Sequence, residues 1–214
     1  MQLIAVSGSL QRRSANRAAL ETACAAAAKQ GAVVDAFDRL ADIPAFNADR
    51  EDESIDVVEE WRRRIDEADA VLVAAPEYAG GLAGAVKNAF DWLVGSATIY
   101  RKPVGIISAG TSGGEHARRG LTQTLTWQGA LVIAELGITA PRTKSDETGR
   151  FTDAGTIDAI SRLGELLVHS ASMSPAEVRQ LALRVVGVFG IDTAHVVTLP
   201  DSIPSSNSGE KRAS

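Results

Sequence analysis

Residues 69–93 constrain the fold of this chain more than any other segment. The segment opens with an apolar run, residues 69–75, that has the length and composition of a buried parallel strand. Pro76 cannot take part in a central sheet ladder, so the strand ends there. A glycine-rich loop follows, and from Val86 the apolar residues recur at helical spacing. This order is typical of the ligand-binding edge of an open α/β sheet, although a plain structural crossover has the same pattern.

The same alternation of strands and helices runs along the rest of the chain. Four further apolar runs have the length of strands: residues 2–7, 32–37, 103–109 and 130–136. Because helical segments separate them, we expect an α/β fold, a doubly wound five-stranded parallel sheet with helices on both faces. We predict a single domain over residues 1–190. Residues 191–214 are expected to form a largely flexible C-terminal extension, since their end is rich in serine and lacks aromatic residues.

The loop between the first strand and the first helix, residues 8–16, has the features of a phosphate cradle. A glycine, small hydroxyl side chains and two arginines precede the helix, and Ser14 is a candidate N-cap. Backbone N–H groups and the positive end of the helix dipole converge there and favour an anion. The sequence lacks both Gly-x-Gly-x-x-Gly and the Walker pattern, so the loop suits one phosphate better than a pyrophosphate.

Both segments resemble signatures of the NADPH-dependent FMN reductase family, which includes flavodoxin-like quinone and azo reductases. The matching residues of the central segment are Pro76, Glu77, Tyr78, Gly84, Lys87, Asn88, Asp91 and Trp92. Those of the first loop are Gly8, Ser9, Leu10, Ser14 and Asn16. Four positions depart from the family pattern. Many members have Asn where Ala79 stands, Ser near Gly81 and Pro where Ala83 stands, and Gln11 replaces an Arg. The resemblance implies the flavodoxin-like strand order 2-1-3-4-5.

The resemblance also implies a cofactor and its site. FMN would take hydride from NADPH or NADH and pass electrons to a quinone, a free flavin or a similar small molecule. The 5′-phosphate is expected on Ser9, Arg12 or Arg13, Ser14 and Asn16. The edge of the isoalloxazine is expected against Pro76, Glu77, Tyr78, Ala79 and Gly80. The turn that closes over its pyrimidine side is expected to comprise Ser108, Gly110, Ser112, Gly113 and Gly114. We expect no catalytic side chain, because the flavin carries the chemistry.

Composition narrows the class of partner. The chain carries 27 acidic and 22 basic residues, and this excess of acids argues against nucleic acid as the main partner. No apolar run reaches the length of a membrane span, and no cluster has the spacing of metal ligands. The chain has one cysteine, which excludes an internal disulfide, and the lack of disulfides is typical of proteins of the reducing cytoplasm. The family resemblance implies a homodimer or homotetramer.

Two other functions remain open at this point. Residues 110–114, Gly-Thr-Ser-Gly-Gly, match the nucleophile elbow Gly-x-Ser-x-Gly between a strand and a helix. A small esterase would use Ser112 with a later histidine and acid: His169 or His195, and Asp146, Asp153, Asp158 or Asp192. This hypothesis leaves the signature at residues 76–92 unexplained. The second is a non-catalytic flavin-binding or electron-carrier protein, which the departure at Ala79 keeps open.

Overall fold

The computed structural model describes residues 1–11 and 13–188. Five parallel strands form the central sheet: β1 (Gln2–Ser7), β2 (Val33–Phe37), β3 (Ala70–Ala74), β6 (Pro103–Gly110) and β7 (Leu131–Thr139). Between β3 and β6, the short strands β4 (Glu77–Tyr78) and β5 (Gly81–Leu82) form an antiparallel hairpin. The order across the central sheet is β2-β1-β3-β6-β7. Counted over these five strands it is the predicted 2-1-3-4-5 order, so the predicted flavodoxin-like fold is confirmed.

In the described part of the chain, six α-helices cover the two faces of the sheet. They are α1 (Ala15–Lys29), α2 (Asp56–Glu67), α3 (Gly84–Asp91), α4 (Glu115–Trp127), α5 (Ala154–Ser170) and α6 (Pro175–Val188). One core cluster contains buried residues of α2, α3 and α4, and the other contains those of α1, α5 and α6. Successive residues of β3 alternate between the two clusters, as the two faces of a strand require: Val71 and Val73 lie in the first, Leu72 and Ala74 in the second. Burial on both faces explains why this strand is apolar throughout.

The signature residues at the end of α3 hold a distant loop in place. The Asn88 side chain donates to the carbonyl of Pro44 at 2.8 Å and accepts from the N–H of Phe46 at 2.7 Å. The indole N–H of Trp92 donates to the same carbonyl of Pro44 at 2.9 Å. The ring of Phe46 meets that of Trp92 edge-on, with centroids 5.2 Å apart. Two residues of the motif, Asn88 and Trp92, therefore fix the long segment between β2 and α2 in place.

Two further predictions concern the extent of the chain. The predicted extension, residues 191–214, lies outside the described residues, and the domain boundary at residue 190 stays a prediction.

Within residues 1–11 and 13–188, no helix has the length and apolar character needed to cross a membrane.

Candidate functional site

A cavity of about 570 Å³ lies at the carboxyl ends of β1, β3 and β6. Its walls come from the loop after β1, from the start of the β4–β5 hairpin and from residues 141–150. The chain leaves β1 toward β2 on one side, while β3 lies on the other side, so the cavity is at the topological switch point of the sheet. This is the position at which open α/β sheets bind ligands. The cavity includes these predicted site residues: Ser9, Arg13, Ser14, Asn16, Pro76, Glu77 and Tyr78.

The loop after β1 lies in close contact with the elements beneath it. The N–H of Gly8 donates to the carbonyl of Ala74 at 2.8 Å. A Cβ at position 8 would lie 2.3 Å from Cγ2 of Val86 and 2.7 Å from that carbonyl oxygen. Only glycine permits this approach, so the loop is held between the end of β3 and the start of α3.

The start of α1 has the donors that one phosphate group needs. Ser14 precedes the helix in extended conformation, and its hydroxyl makes no capping hydrogen bond. Ser9 is buried, and its hydroxyl accepts from the N–H of Gln11 at 3.4 Å. Arg13 makes no ion pair with any described residue. Together with the first-turn N–H groups of a helix, these side chains fit a mononucleotide phosphate. Arg12, the other predicted cation, lies outside the described residues.

Asn16 is engaged with the neighbouring strand. Its side-chain amide donates to the carbonyl of Ala109 at 2.9 Å, and its side-chain oxygen accepts from the N–H of Ala109 at 2.8 Å. Asn16 is buried, and this pair joins the first turn of α1 to the end of β6. Its side chain therefore positions the cradle, while its backbone N–H belongs to the first turn of the helix.

Glu77 connects the hairpin to the turn after β6. One carboxylate oxygen accepts from the N–H groups of His116 and Ala117, at 2.8 and 3.2 Å. The other accepts from the Ser112 hydroxyl at 3.4 Å. A carboxylate at a helix N-terminus is stabilised by the free N–H groups and by the dipole. Glu77 thus caps α4 and fixes the two predicted flavin-contacting loops relative to each other.

The tip of the hairpin explains the departure at position 79. Ala79 has φ of +51° and Gly80 has φ of +71°. The left-handed region favours asparagine among residues other than glycine, which gives a conformational reason for the Asn of the family that the chain resembles. Alanine adopts the same backbone here at some cost in strain. Tyr78, at the start of the tip, is half exposed beside the cavity.

The turn after β6 depends on two left-handed glycines. Gly113 and Gly114 have φ of +75° and +62°, and a Cβ on Gly114 would lie 1.8 Å from the hydroxyl of Ser108. That hydroxyl donates to the carbonyl of Ala75 at 2.6 Å. The N–H of Gly113 donates to the carbonyl of Gly110 at 3.1 Å, so Gly114 is the better candidate donor to a flavin oxygen. Ala109, rather than Ser108 or Gly110, contributes to the cavity wall.

An ion pair that the sequence did not reveal supports this turn. Arg118 donates through Nε to the carbonyl of Gly113 at 3.1 Å and through a terminal nitrogen to Glu135 at 3.0 Å. Thr122 also hydrogen-bonds Glu135. Burial raises the pKa of Glu135, and the contacts with Thr122 and Arg118 oppose that rise. Arg118 and Glu135 lie on different elements, α4 and β7, so no local pattern could have paired them.

The esterase hypothesis finds no catalytic arrangement in the described part of the chain. The side-chain hydrogen bond of Ser112 is with Glu77, and no described histidine side chain shares one with it. The ring of His169 lies 3.4 Å from the hydroxyl of Ser172, at the end of α5. His195 and Asp192 lie outside the described residues. Within those residues, no group of three His, Cys, Asp or Glu side chains could hold a metal ion.

The model of the family described as NADPH-dependent FMN reductase matches residues 1–143. The chain belongs to this family. It is 31% identical over 170 residues to a quinone reductase of Escherichia coli K12, which covers 75% of this chain and 90% of the relative. It is 34% identical over 160 residues to an NAD(P)H-dependent FMN reductase of Pseudomonas aeruginosa, covering 72% and 85%.

A solved structure agrees with these relatives. A flavoenzyme NAD(P)H:acceptor oxidoreductase from Paracoccus denitrificans superposes with a TM-score of 0.69 at 25% identity, covering 80% of this chain and 97% of that one. The predicted family, the class of oxidoreductase, and FMN with NAD(P)H as its cofactors are confirmed. The relatives give no support to an esterase. Which side chains touch the flavin stays a prediction.

Proposed function

We propose that the protein takes hydride from NADPH or NADH onto FMN held in the cavity at the carboxyl ends of β1, β3 and β6, and passes the electrons to a quinone, a free flavin or a similar small acceptor. The observation that carries this proposal is the convergence of both family motifs on that one cavity. The relatives' names supply the acceptor classes, quinone and flavin. FMN, when bound, supplies the redox chemistry.

The residues of the first loop bind the phosphate in this proposal. Ser9, Ser14 and Arg12 or Arg13 donate to its oxygens, together with the first-turn N–H groups of α1. Asn16 holds the helix start against β6 through its two hydrogen bonds with Ala109. A cradle fixed in this way loses little conformational entropy when the ligand binds.

The hairpin and the turn after β6 orient the ring system. Pro76 to Gly80 line one edge, and the turn at residues 108–114 closes the other. Glu77 acts indirectly, since its carboxylate is occupied by the N-terminus of α4. No side chain has to transfer a proton in this arrangement, so the protein contributes binding, orientation and an open face beside Tyr78 for the second substrate.

We also expect a homodimer or homotetramer in the cytoplasm, as the family resemblance implies. Three large apolar side chains support an interface: Val94, Tyr100 and Trp127 are each about half exposed or more, at 61%, 47% and 76%. Tyr100 packs beside Gly129, two residues beyond Trp127. Large apolar side chains that lie together on the surface mark protein–protein interfaces, and the neighbourhood of Tyr100 and Trp127 is the candidate surface.

Replacing the arginines of the cradle tests whether their positive charge binds the phosphate of FMN. Arg12→Ala combined with Arg13→Ala is expected to weaken FMN about 10- to 100-fold, because charge-assisted hydrogen bonds contribute about 1.5–3 kcal/mol. Riboflavin, which lacks the phosphate, is expected to bind the double variant and the wild type about equally. Titration by quenching of flavin fluorescence measures both constants, and the two single variants assign the role to one arginine.

A matched control removes two arginines from surface ion pairs elsewhere. Arg63 pairs with Glu67 and Arg162 with Asp158, both on exposed helix faces. Arg63→Ala combined with Arg162→Ala makes the same change in net charge and is expected to leave FMN affinity unchanged. An equal loss of riboflavin and FMN affinity in the Arg12/Arg13 variant would mean that these arginines act on folding, and the phosphate assignment would be wrong.

A further inference from the structure

The cavity holds more cationic groups than one phosphate requires. Besides Arg13, its lining includes Arg17 from α1 and Arg142 and Arg150 from the segment after β7. Among the described residues, no carboxylate lies within ion-pair distance of any of these four guanidinium groups. Unpaired arginines that gather around one concave site are the arrangement that phosphate recognition uses.

Two of the four carboxylates that line the same cavity accept hydrogen bonds from neighbouring groups. Glu77 accepts from the first turn of α4. Asp146 accepts from the hydroxyl of Thr148, and from the N–H groups of Thr148 and Arg150 at 2.9 and 3.1 Å. The hydrogen bond from the Thr148 hydroxyl, and then those from the backbone, hold the pKa of the Asp146 carboxyl below its usual value. The two other acids of the lining are Glu21 and Glu147. Asp146 also interacts with the charge of Arg150 at longer range, but none of the four arginines forms an ion pair with a described carboxylate.

Arg17 provides an independent observation. Its Nε is buried and has no hydrogen-bond partner. Leaving a charged donor buried and unsatisfied is costly, so native structures seldom do so without a ligand or a functional reason. A phosphate oxygen is the acceptor that a guanidinium group matches best.

Hydrogen bonds within the segment that carries the other two arginines close it into a loop. The hydroxyl of Ser145 donates to the carbonyl of Pro141 at 2.9 Å, and Ser145 forms a β-bridge with Phe151. The N–H of Thr152 donates to the carbonyl of Lys144 at 2.8 Å. Arg142 and Arg150 thus lie near the two ends of a closed loop that faces the start of α1 across the cavity.

We propose that Arg17, Arg142 and Arg150 form a second phosphate subsite, which takes the 2′-phosphate of NADPH and makes the enzyme prefer NADPH to NADH. This inference rests on the proposed function, in which the flavin phosphate occupies the cradle of residues 8–16. The reductant then brings the second phosphate, because NADPH differs from NADH by one phosphate monoester. A diphosphate of FAD carries the same chemistry and has to be distinguished by experiment.

Binding to the FMN-loaded full-length protein tests the subsite without relying on turnover. Calorimetry would measure dissociation constants for NADP⁺ and NAD⁺, and for 2′,5′-ADP and 5′-AMP as smaller probes. The wild type is expected to bind NADP⁺ and 2′,5′-ADP at least about 10-fold more tightly than their counterparts without the 2′-phosphate. Arg142→Ala combined with Arg150→Ala is expected to remove that preference and to leave the constants for NAD⁺ and FMN within about twofold.

Two further variants complete the design. Arg17→Gln keeps the aliphatic stem as far as Cδ and removes the positive charge. It is expected to weaken NADP⁺ binding but not NAD⁺ binding, while a thermal melt checks that the variant folds. The Arg63→Ala and Arg162→Ala double variant controls for net charge and is expected to keep the full preference for NADP⁺.

Three results would contradict the assignment of these arginines to the 2′-phosphate of NADPH. Equal affinity of the wild type for NADP⁺ and NAD⁺ is the first. A loss of FMN affinity in the Arg142/Arg150 variant would assign these arginines to the flavin phosphate. Tight FAD binding that the same variant loses would assign them to the diphosphate of FAD. Failure of the proposed function looks different: the FMN-loaded protein would be reduced by neither nucleotide.

Discussion

Gly8→Ala is expected to lower the free energy of unfolding by about 3 kcal/mol or more and to weaken FMN at least about 10-fold. The added Cβ would lie 2.3 Å from the side chain of Val86, 2.7 Å from the carbonyl oxygen of Ala74 and 2.8 Å from Cδ of Pro76. Two of these three neighbours belong to backbone or to a proline ring and cannot rotate away. The loop after β1 would have to lift off the sheet, which displaces the cradle.

Gly84→Ala is the matched control for this substitution. Gly84 begins α3, within the same central segment, and a Cβ there would meet nothing within 4 Å. Alanine is the better helix former, so this variant is expected to be as stable as the wild type or more stable, with unchanged FMN affinity. Urea unfolding followed by tryptophan fluorescence measures both variants. A Gly8→Ala protein as stable as Gly84→Ala, with full FMN affinity, would show that the close approach at position 8 is unnecessary.

Asn16→Ala is expected to destabilise the protein by about 2–4 kcal/mol, because the N–H and the carbonyl of Ala109 would both lose their partner in a buried site. In a protein of this size that corresponds to a fall in melting temperature of roughly 4–16 °C. Asn47→Ala removes an exposed asparagine that caps a single turn through the N–H of Asp49, and it is expected to cost less than about 1 kcal/mol.

Flavin binding separates a positioning role of Asn16 from direct contact. If the side chain fixes α1 to β6, Asn16→Ala weakens FMN and riboflavin by similar factors along with the loss of stability. A variant of normal stability that loses FMN affinity alone would identify the Asn16 side chain as a phosphate ligand. Calorimetric melting and fluorescence titration on the same preparation give both quantities.

The strands of the sheet were predictable because each one is a mainly apolar run of residues. β3 is an example: its residues are buried on both faces, so all of them are apolar and the strand can be identified from its own sequence. The β4–β5 hairpin has no such sequence pattern. Glu77–Tyr78 and Gly81–Leu82 are two residues each, too short for any periodicity. The motif located this loop but gave no indication of its conformation.

The parts of the site that escaped prediction are long-range contacts. Glu77 was placed in the flavin-contacting loop by the motif, but its capping of α4 joins residues 39 and 40 positions apart. The Arg118–Glu135 pair likewise joins two elements, and only the fold brings Arg142 and Arg150 to the same cavity as Arg17. For Asn16 the motif identified the residue, but nothing in the sequence indicated its hydrogen-bond partner, Ala109, which lies 93 positions away.

The most direct test of electron transfer through FMN is to measure the visible absorbance of the FMN-loaded protein when NADPH is added in the absence of oxygen. If the protein is a flavin oxidoreductase, NADPH makes the absorbance of oxidised FMN disappear, and a quinone added afterwards makes it return. The Ser112→Ala variant is expected to give the same two changes. An unchanged flavin spectrum would contradict this account. So would hydrolysis of p-nitrophenyl acetate that the wild type performs and Ser112→Ala does not.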